Sequence, residues 1–275
     1  MNARWGRSGR VRWIASLAAL AALALGSAGC AQLKARDALN RGSTAFKANQ
    51  FSQAVEYFKT AVDIDPNFDV ARLYLATAYM AQYIPGAESK ENMQFADAAL
   101  VQFNKVLEKN PKDETATADI ASIYYNQKNW DKAEEWNKKL IALNPKAKDA
   151  YYVLGVIAWY RWLPPYREAR NKEGMKPDDP GPLKDAKVRE ELKAKYLPIL
   201  DEGIKDEQKA LEIDPEYENA MSYTNLLIRY RADLMDTRQE WKKQWDIADS
   251  WVEKAMATIK VKADRKAAAP NTGAK

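Results

Sequence analysis

Few side chains in this sequence could carry covalent or acid–base chemistry. Its 275 residues include one cysteine, Cys30, and no histidine. A lone thiol cannot form a disulfide within the chain and points to a single job for that sulfur. Without imidazole, the commonest general base and the commonest zinc ligand are missing, so Ser-His-Asp and Cys-His catalysis are excluded. Asp63, Asp65, Asn67 and Asp69 alternate like the start of a calcium loop, but Phe68 and Tyr74 stand where that loop needs Gly and Glu. The acidic run reads as a helix end followed by the cap of the next helix. Asp178 and Asp179 could do acid–base work, yet they lie in a proline-rich stretch that would not fix their geometry. The glycines are scattered and form no phosphate loop. No catalytic residue, metal site or cofactor is expected, and the chain is read as a non-enzyme.

Cys30 has a context. Arg4, Arg7, Arg10 and Arg12 precede the apolar run from Trp13 to Leu25, and Gly26-Ser27-Ala28-Gly29 follow it. This is the layout of a secretory signal peptide over residues 1–29. The apolar run is short of the roughly 20 residues a spanning helix needs. Ala28-Gly29-Cys30 resembles the bacterial lipobox, with Ser27 where Leu is more usual. The resemblance implies cleavage before Cys30, acylation of its thiol, and a tether over 30–34. One acyl chain would bind a membrane only marginally, whereas three chains, as the lipoprotein resemblance implies, make a stable anchor. Ala31 rather than Asp after the cysteine implies the outer membrane, with the periplasmic face favoured. The net charge of +5 largely reflects the four leader arginines. Beyond them basic and acidic residues nearly balance, so no nucleic-acid partner is expected.

Anything this chain binds must be positioned by helices. Four phrases recur: Ala61 to Pro66, Val106 to Pro111, Leu140 to Pro145 and Ala210 to Pro215. Each closes an apolar helical pattern with Asp or Asn before Pro, which stops a helix. Pro111 and Pro145 lie 34 residues apart, the period of a helix-turn-helix unit closing on proline. The pattern resembles the tetratricopeptide repeat. The first unit places Gly42, Ala54, Phe58 and Ala61 at the inner positions. The third places Ala121, Tyr124, Ala133 and Leu140 there, and departs at Asn137, where an aromatic is usual. The resemblance implies an all-α, TPR-like superhelical solenoid over 35–261, with units at about 35–68, 69–113, 114–147, 148–217 and 218–261. Insertions fall between helix A and helix B near 83–94, 163–198 and 231–241. The longest is expected to form a short helix between proline-stiffened arms. Thr237 and Glu240 make a capping box, and Trp241, Trp245 and Ala248 form a stripe read as core. Residues 262–275 are expected to be a disordered tail.

In the tetratricopeptide family the first helices line a concave groove. Carried onto this chain, the resemblance puts Phe46, Met80, Tyr125, Trp159 and Arg229 at position 12. Position 5 holds Leu39, Leu73, Ala118, Tyr152 and Ser222. An apolar, aromatic track of this kind suits a protein partner. Tyr152 and Trp159 could equally pack against neighbouring helices. The Lys and Asn clamp for a terminal carboxylate is absent, because Leu39, Ser43, Leu73 and Thr77 occupy those places. The expectation is a protein-interaction scaffold, lipid-anchored in the bacterial cell envelope. Its layout is similar to repeat lipoproteins of outer-membrane and pilus assembly. The alternative is a groove for a non-protein envelope ligand, a lipid or glycan fragment.

Overall fold

A computed structural model describes residues 29–176 and 179–268. Residues 1–28 of the signal peptide expected over 1–29, Pro177, Asp178 and the last residues, 269–275, lie outside them. The described chain is helical apart from turns and loops, and no described helix is long and apolar enough to cross a membrane. Two compact units meet in the chain at Gln127 and Lys128, inside the third expected repeat.

The first unit holds α1 (29–47), α2 (Phe51–Ile64), α3 (Asp69–Met80), α4 (Lys90–Lys109) and α5 (Glu114–Asn126). Helix α1 is already formed at residue 29, so the stretch 30–34, expected as a tether, is helical instead. It ends where Asn49 turns left-handed at φ 59°, and Gln50 N–H then donates to the Ala45 carbonyl at 2.9 Å. Asn tolerates this conformation better than most residues. Packing against α2 turns on Gly42, where an added Cβ would lie 2.4 Å from the Phe58 ring. Ala38, Ala45, Ala54, Ala61, Ala71 and Ala78 keep the neighbouring backbones close, and Phe58 and Leu75 fill the space between them. The insertion before α4 is a loop folded onto one side chain. Asn92 accepts from Ile84 N–H at 2.7 Å and donates to the Ile84 and Ala87 carbonyls at 2.9 and 2.7 Å.

The second unit holds α6 (Trp130–Leu143), α7 (Lys148–Lys172), α8 (Ala186–Ile213), α9 (Glu218–Arg231), a short 3-10 turn (Ala232–Leu234) and α10 (Arg238–Ala268). The expected short helix between proline arms does not form. Helix α7 runs through Pro164 and Pro165, and α8 runs through Pro198. Each proline removes one intrahelical N–H at a cost of about 3 kcal/mol. Trp162, Leu163, Ala169 and Arg170, all buried on α7, offset that cost. The insertion thus lengthens both helices of its repeat, and Met175 and Leu183 from the connecting loop join a core with Trp162, Leu200, Leu227 and Leu234. The expected disordered tail is also corrected: α10 continues to Ala268, held by Lys262 on Glu218 and by Arg265 on Glu216 at 2.8 Å.

One device recurs across both units. Asp65, Asn110, Asn144 and Asp214 each end a helix in nearly the same extended conformation, with φ −131°, −125°, −134° and −133°. The following proline excludes the helical region for each. Each side chain then accepts the N–H two residues on, at 3.0, 3.3, 3.0 and 3.0 Å. Helix α5 ends like α1, with Lys128 left-handed at φ 56°. Asn49 and Lys128 hold the same place in the first and third repeats, which have no insertion.

Candidate functional site

The first helices of the first three repeats, α1, α3 and α5, enclose with Phe58 an open cavity of about 460 Å³. It is lined by Ser43, Phe46 and Lys47 from α1, Leu73, Tyr74 and Thr77 from α3, and Thr115 and Asp119 from α5. The apolar floor is Phe46, Leu73 and the Phe58 edge, and Phe58 lies 5.6 Å from the exposed Tyr74 ring. Phe46 is fixed edge-on against Phe51 at 5.2 Å. Ser43 and Thr77 donate their hydroxyl protons to the carbonyls of Leu39 and Leu73 one turn back, at 2.9 and 3.0 Å. Their oxygens therefore face the cavity as acceptors. Asp119 has no hydrogen-bond or ion-pair partner among the described residues, Lys47 included. Burial, with Asp113 adding like charge, pushes its carboxyl up to about 6.

Of the ten position-5 and position-12 residues expected in the groove from the sequence, Phe46 and Leu73 line this cavity. Met80 and Tyr125 are half-buried near the ends of α3 and α5. In the second unit Tyr152 packs on Tyr217 and Tyr223, at 5.4 Å each. Trp159 meets Tyr160, Tyr223 and Tyr230 at 5.0, 5.9 and 6.2 Å. That track is an aromatic seam between α7 and α9. Arg229 pairs with Asp249 and stacks 4.2 Å over the Trp245 ring, so it joins α9 to α10. Trp241 and Ala248 are buried, and the capping box forms at 3.1 Å in both directions. Cys30 is exposed.

Sequence reasoning missed Lys47, Tyr74 and Asp119. Each stands one residue beyond a position taken as groove-facing, and a groove spanned by three helices is wide enough to admit both neighbours. It also missed Glu207, which occupies in the fourth repeat the place of Phe58 in the first. Its side chain fills the notch at Gly155, where an added Cβ would lie 2.3 Å from Oε1. Glu207 is fully buried, and neither oxygen has a hydrogen-bond partner among the described residues. Burial, with Asp206 beside it, pushes its carboxyl up to about 10, so it is uncharged at neutral pH. A second, smaller cavity of about 230 Å³ holds Glu134, Lys138, Arg161, Glu202 and Asp206, and Arg161 is clamped there by Glu134 and by Asp131 at 2.7 Å. No group of three or more His, Cys, Asp or Glu side chains able to hold a metal occurs among the described residues.

Stacked helix pairs with proline-closed turns and a cavity among their first helices define a tetratricopeptide-like fold. Residues 45–82 and 95–157 match the tetratricopeptide repeat family. No curated protein sequence matches the chain. Among solved structures, a MamA protein is similar at 18% identity over 84% of this chain and 94% of that one, with a TM-score of 0.54. MamA from residue 41 onward, from Desulfovibrio magneticus RS-1, aligns at 17% identity over 83% and 96%, with a TM-score of 0.56. YrrB, described as a TPR protein with an unusual peptide-binding site, aligns at 13% identity over 82% and 90%, with a TM-score of 0.50. At such identities the likeness establishes the fold alone.

Proposed function

We propose that this chain is a protein-interaction module whose first unit receives an extended segment of a partner. The carrying observation is the open cavity where three first helices bring Phe46, Leu73 and Tyr74 together with the Ser43 and Thr77 hydroxyls and the unpaired Asp119 carboxylate. Exposed aromatic and apolar side chains that converge with a few directed polar groups are the usual make-up of a binding groove. The peptide-binding site named for YrrB is in keeping with such use of the fold. The alternative, a chamber for a lipid or glycan fragment beside Tyr152 and Trp159, loses support because tyrosines of α9 pack against both.

We further propose that the module is held at the cell envelope, on the periplasmic face of the outer membrane, by acylation of Cys30. Support comes from the Arg-rich leader, the short apolar run and Ala28-Gly29-Cys30. A photo-crosslinking residue at exposed Tyr74 should give a discrete protein adduct in intact cells. Phe46→Ala with Leu73→Ala should reduce that adduct several-fold while helical circular dichroism stays unchanged. An adduct that survives the double substitution would remove the groove from the account.

A further inference from the structure

Three polar groups in the groove of the first unit, Ser43, Thr77 and Asp119, act as acceptors. Ser43 and Thr77 have given their protons to their own helix carbonyls, so both offer only lone pairs. Asp119 adds an unpaired, partly desolvated carboxylate in the same cavity. Beside these acceptors lie the Phe46 and Tyr74 rings, whose faces attract cations. The one cation in the lining, Lys47, is exposed and forms no ion pair with Asp119. The groove therefore presents acceptors and aromatic faces with no cation paired to Asp119. A long cationic side chain supplies both missing parts, an apolar stem and a terminal donor. An acidic side chain would meet the Asp119 carboxylate and hydroxyl lone pairs.

Building on the groove reading above, we infer that the cavity selects a partner segment carrying a lysine or arginine flanked by apolar residues, its cation reaching Asp119 and its stem lying on Phe46, Leu73 and Tyr74. A partly desolvated carboxylate whose pKa has been raised to about 6 gains from a cation that restores its ionised form. The cation then has both a charge partner and two π faces. Selection follows because a neutral or acidic residue at that place leaves Asp119 unpaired.

The test uses the full chain and three pools of acetylated, amidated nonapeptides. The central residue is Lys, norleucine or Glu, and the flanking apolar residues are randomised in the same way in each pool. Binding is read by fluorescence anisotropy. The Lys pool should bind about tenfold more tightly than the norleucine pool, and the Glu pool most weakly. Asp119→Asn should remove the preference for Lys while keeping norleucine binding, and Asp119→Lys should turn the preference toward Glu. Phe46→Ala should weaken every pool. Equal binding of the Lys and norleucine pools, still sensitive to Phe46→Ala, would overturn the cation inference and leave the groove reading standing. Binding that ignores Phe46→Ala, or no binding of any pool, would overturn both. Self-association of the chain that disappears in Asp119→Asn would assign the groove to a second copy and overturn the proposed occupant.

Discussion

Glu207 stands against Gly155 as Phe58 stands against Gly42, so a carboxyl fills a notch that the first repeat fills with a ring. Its pKa is raised from 4.5 to about 10 because burial penalises the charged form. Below pH 4.5 the side chain is protonated in both folded and unfolded chains and costs nothing electrostatically. Between the two values the unfolded chain releases a proton that the fold retains, so stability falls as pH rises. Glu207→Gln keeps the shape of the neutral acid and removes that dependence. The variant should be more stable than the parent by about 3 kcal/mol at pH 7. The gain should shrink toward zero at pH 4 and grow at pH 9, as read from urea midpoints. A gain that does not change with pH would show that ionisation is not the cause.

At the scale of the elements, the lengthened helices of the fourth repeat depend on a buried ion pair. Arg170 on α7 meets Asp233 in the 3-10 turn at 2.5 Å, with side chains 5% and 2% exposed. Asp233 also accepts from Trp241 Nε1 at 2.9 Å, and its carbonyl takes the Leu183 N–H at 3.0 Å. Arg170 reaches the carbonyls of Lys176 and Asp179, tying down the connecting loop. One residue pair thus fixes the end of α7, the loop, the turn and the start of α10. Removing one partner strands the other charge in the core. Asp233→Ala should cost roughly 3–5 kcal/mol in denaturant unfolding and move tryptophan emission as Trp241 loses its acceptor. Asp233→Leu with Arg170→Met should cost much less, because no charge is left behind. A single variant as stable as the parent would contradict the strapping role.

For the whole molecule, the consequence lies in where α1 starts. Helix is present from residue 29, so Cys30 is separated from Ala35, the first buried residue among the described ones, by helix rather than extended chain. At about 1.5 Å per residue that is roughly 8 Å along the axis, against the roughly 15 Å that an extended tether would allow. On the proposed anchoring, the first repeat and its groove would stand against the membrane surface. Cys30→Ser should move the protein from the membrane to the soluble envelope fraction in cell fractionation. Retention of that variant on membranes would dismiss the acyl anchor.

Local rules settled much of this protein before any packing entered. The Asp-Pro and Asn-Pro pairs stop four helices because proline acts on its immediate neighbour, and Thr237 and Glu240 cap α10 because the box is closed within four residues. The small inner residues at Gly42, Ala54 and Ala61 likewise announced where helices approach. Three features needed the tertiary structure. Pro164 and Pro165 would end a helix on local preference, but buried Trp162, Leu163 and Arg170 carry α7 through them. Tyr152 and Trp159 face the tyrosines of α9, contacts between residues more than sixty positions apart that helical periodicity cannot report. Asp119 reads in sequence as one surface acid among many. Its lack of a partner and its place beside Phe46 and Tyr74 exist only once α1, α3 and α5 are side by side. Sequence fixes what depends on a few adjacent residues, whereas the groove depends on which side chains remain unpaired after the helices pack.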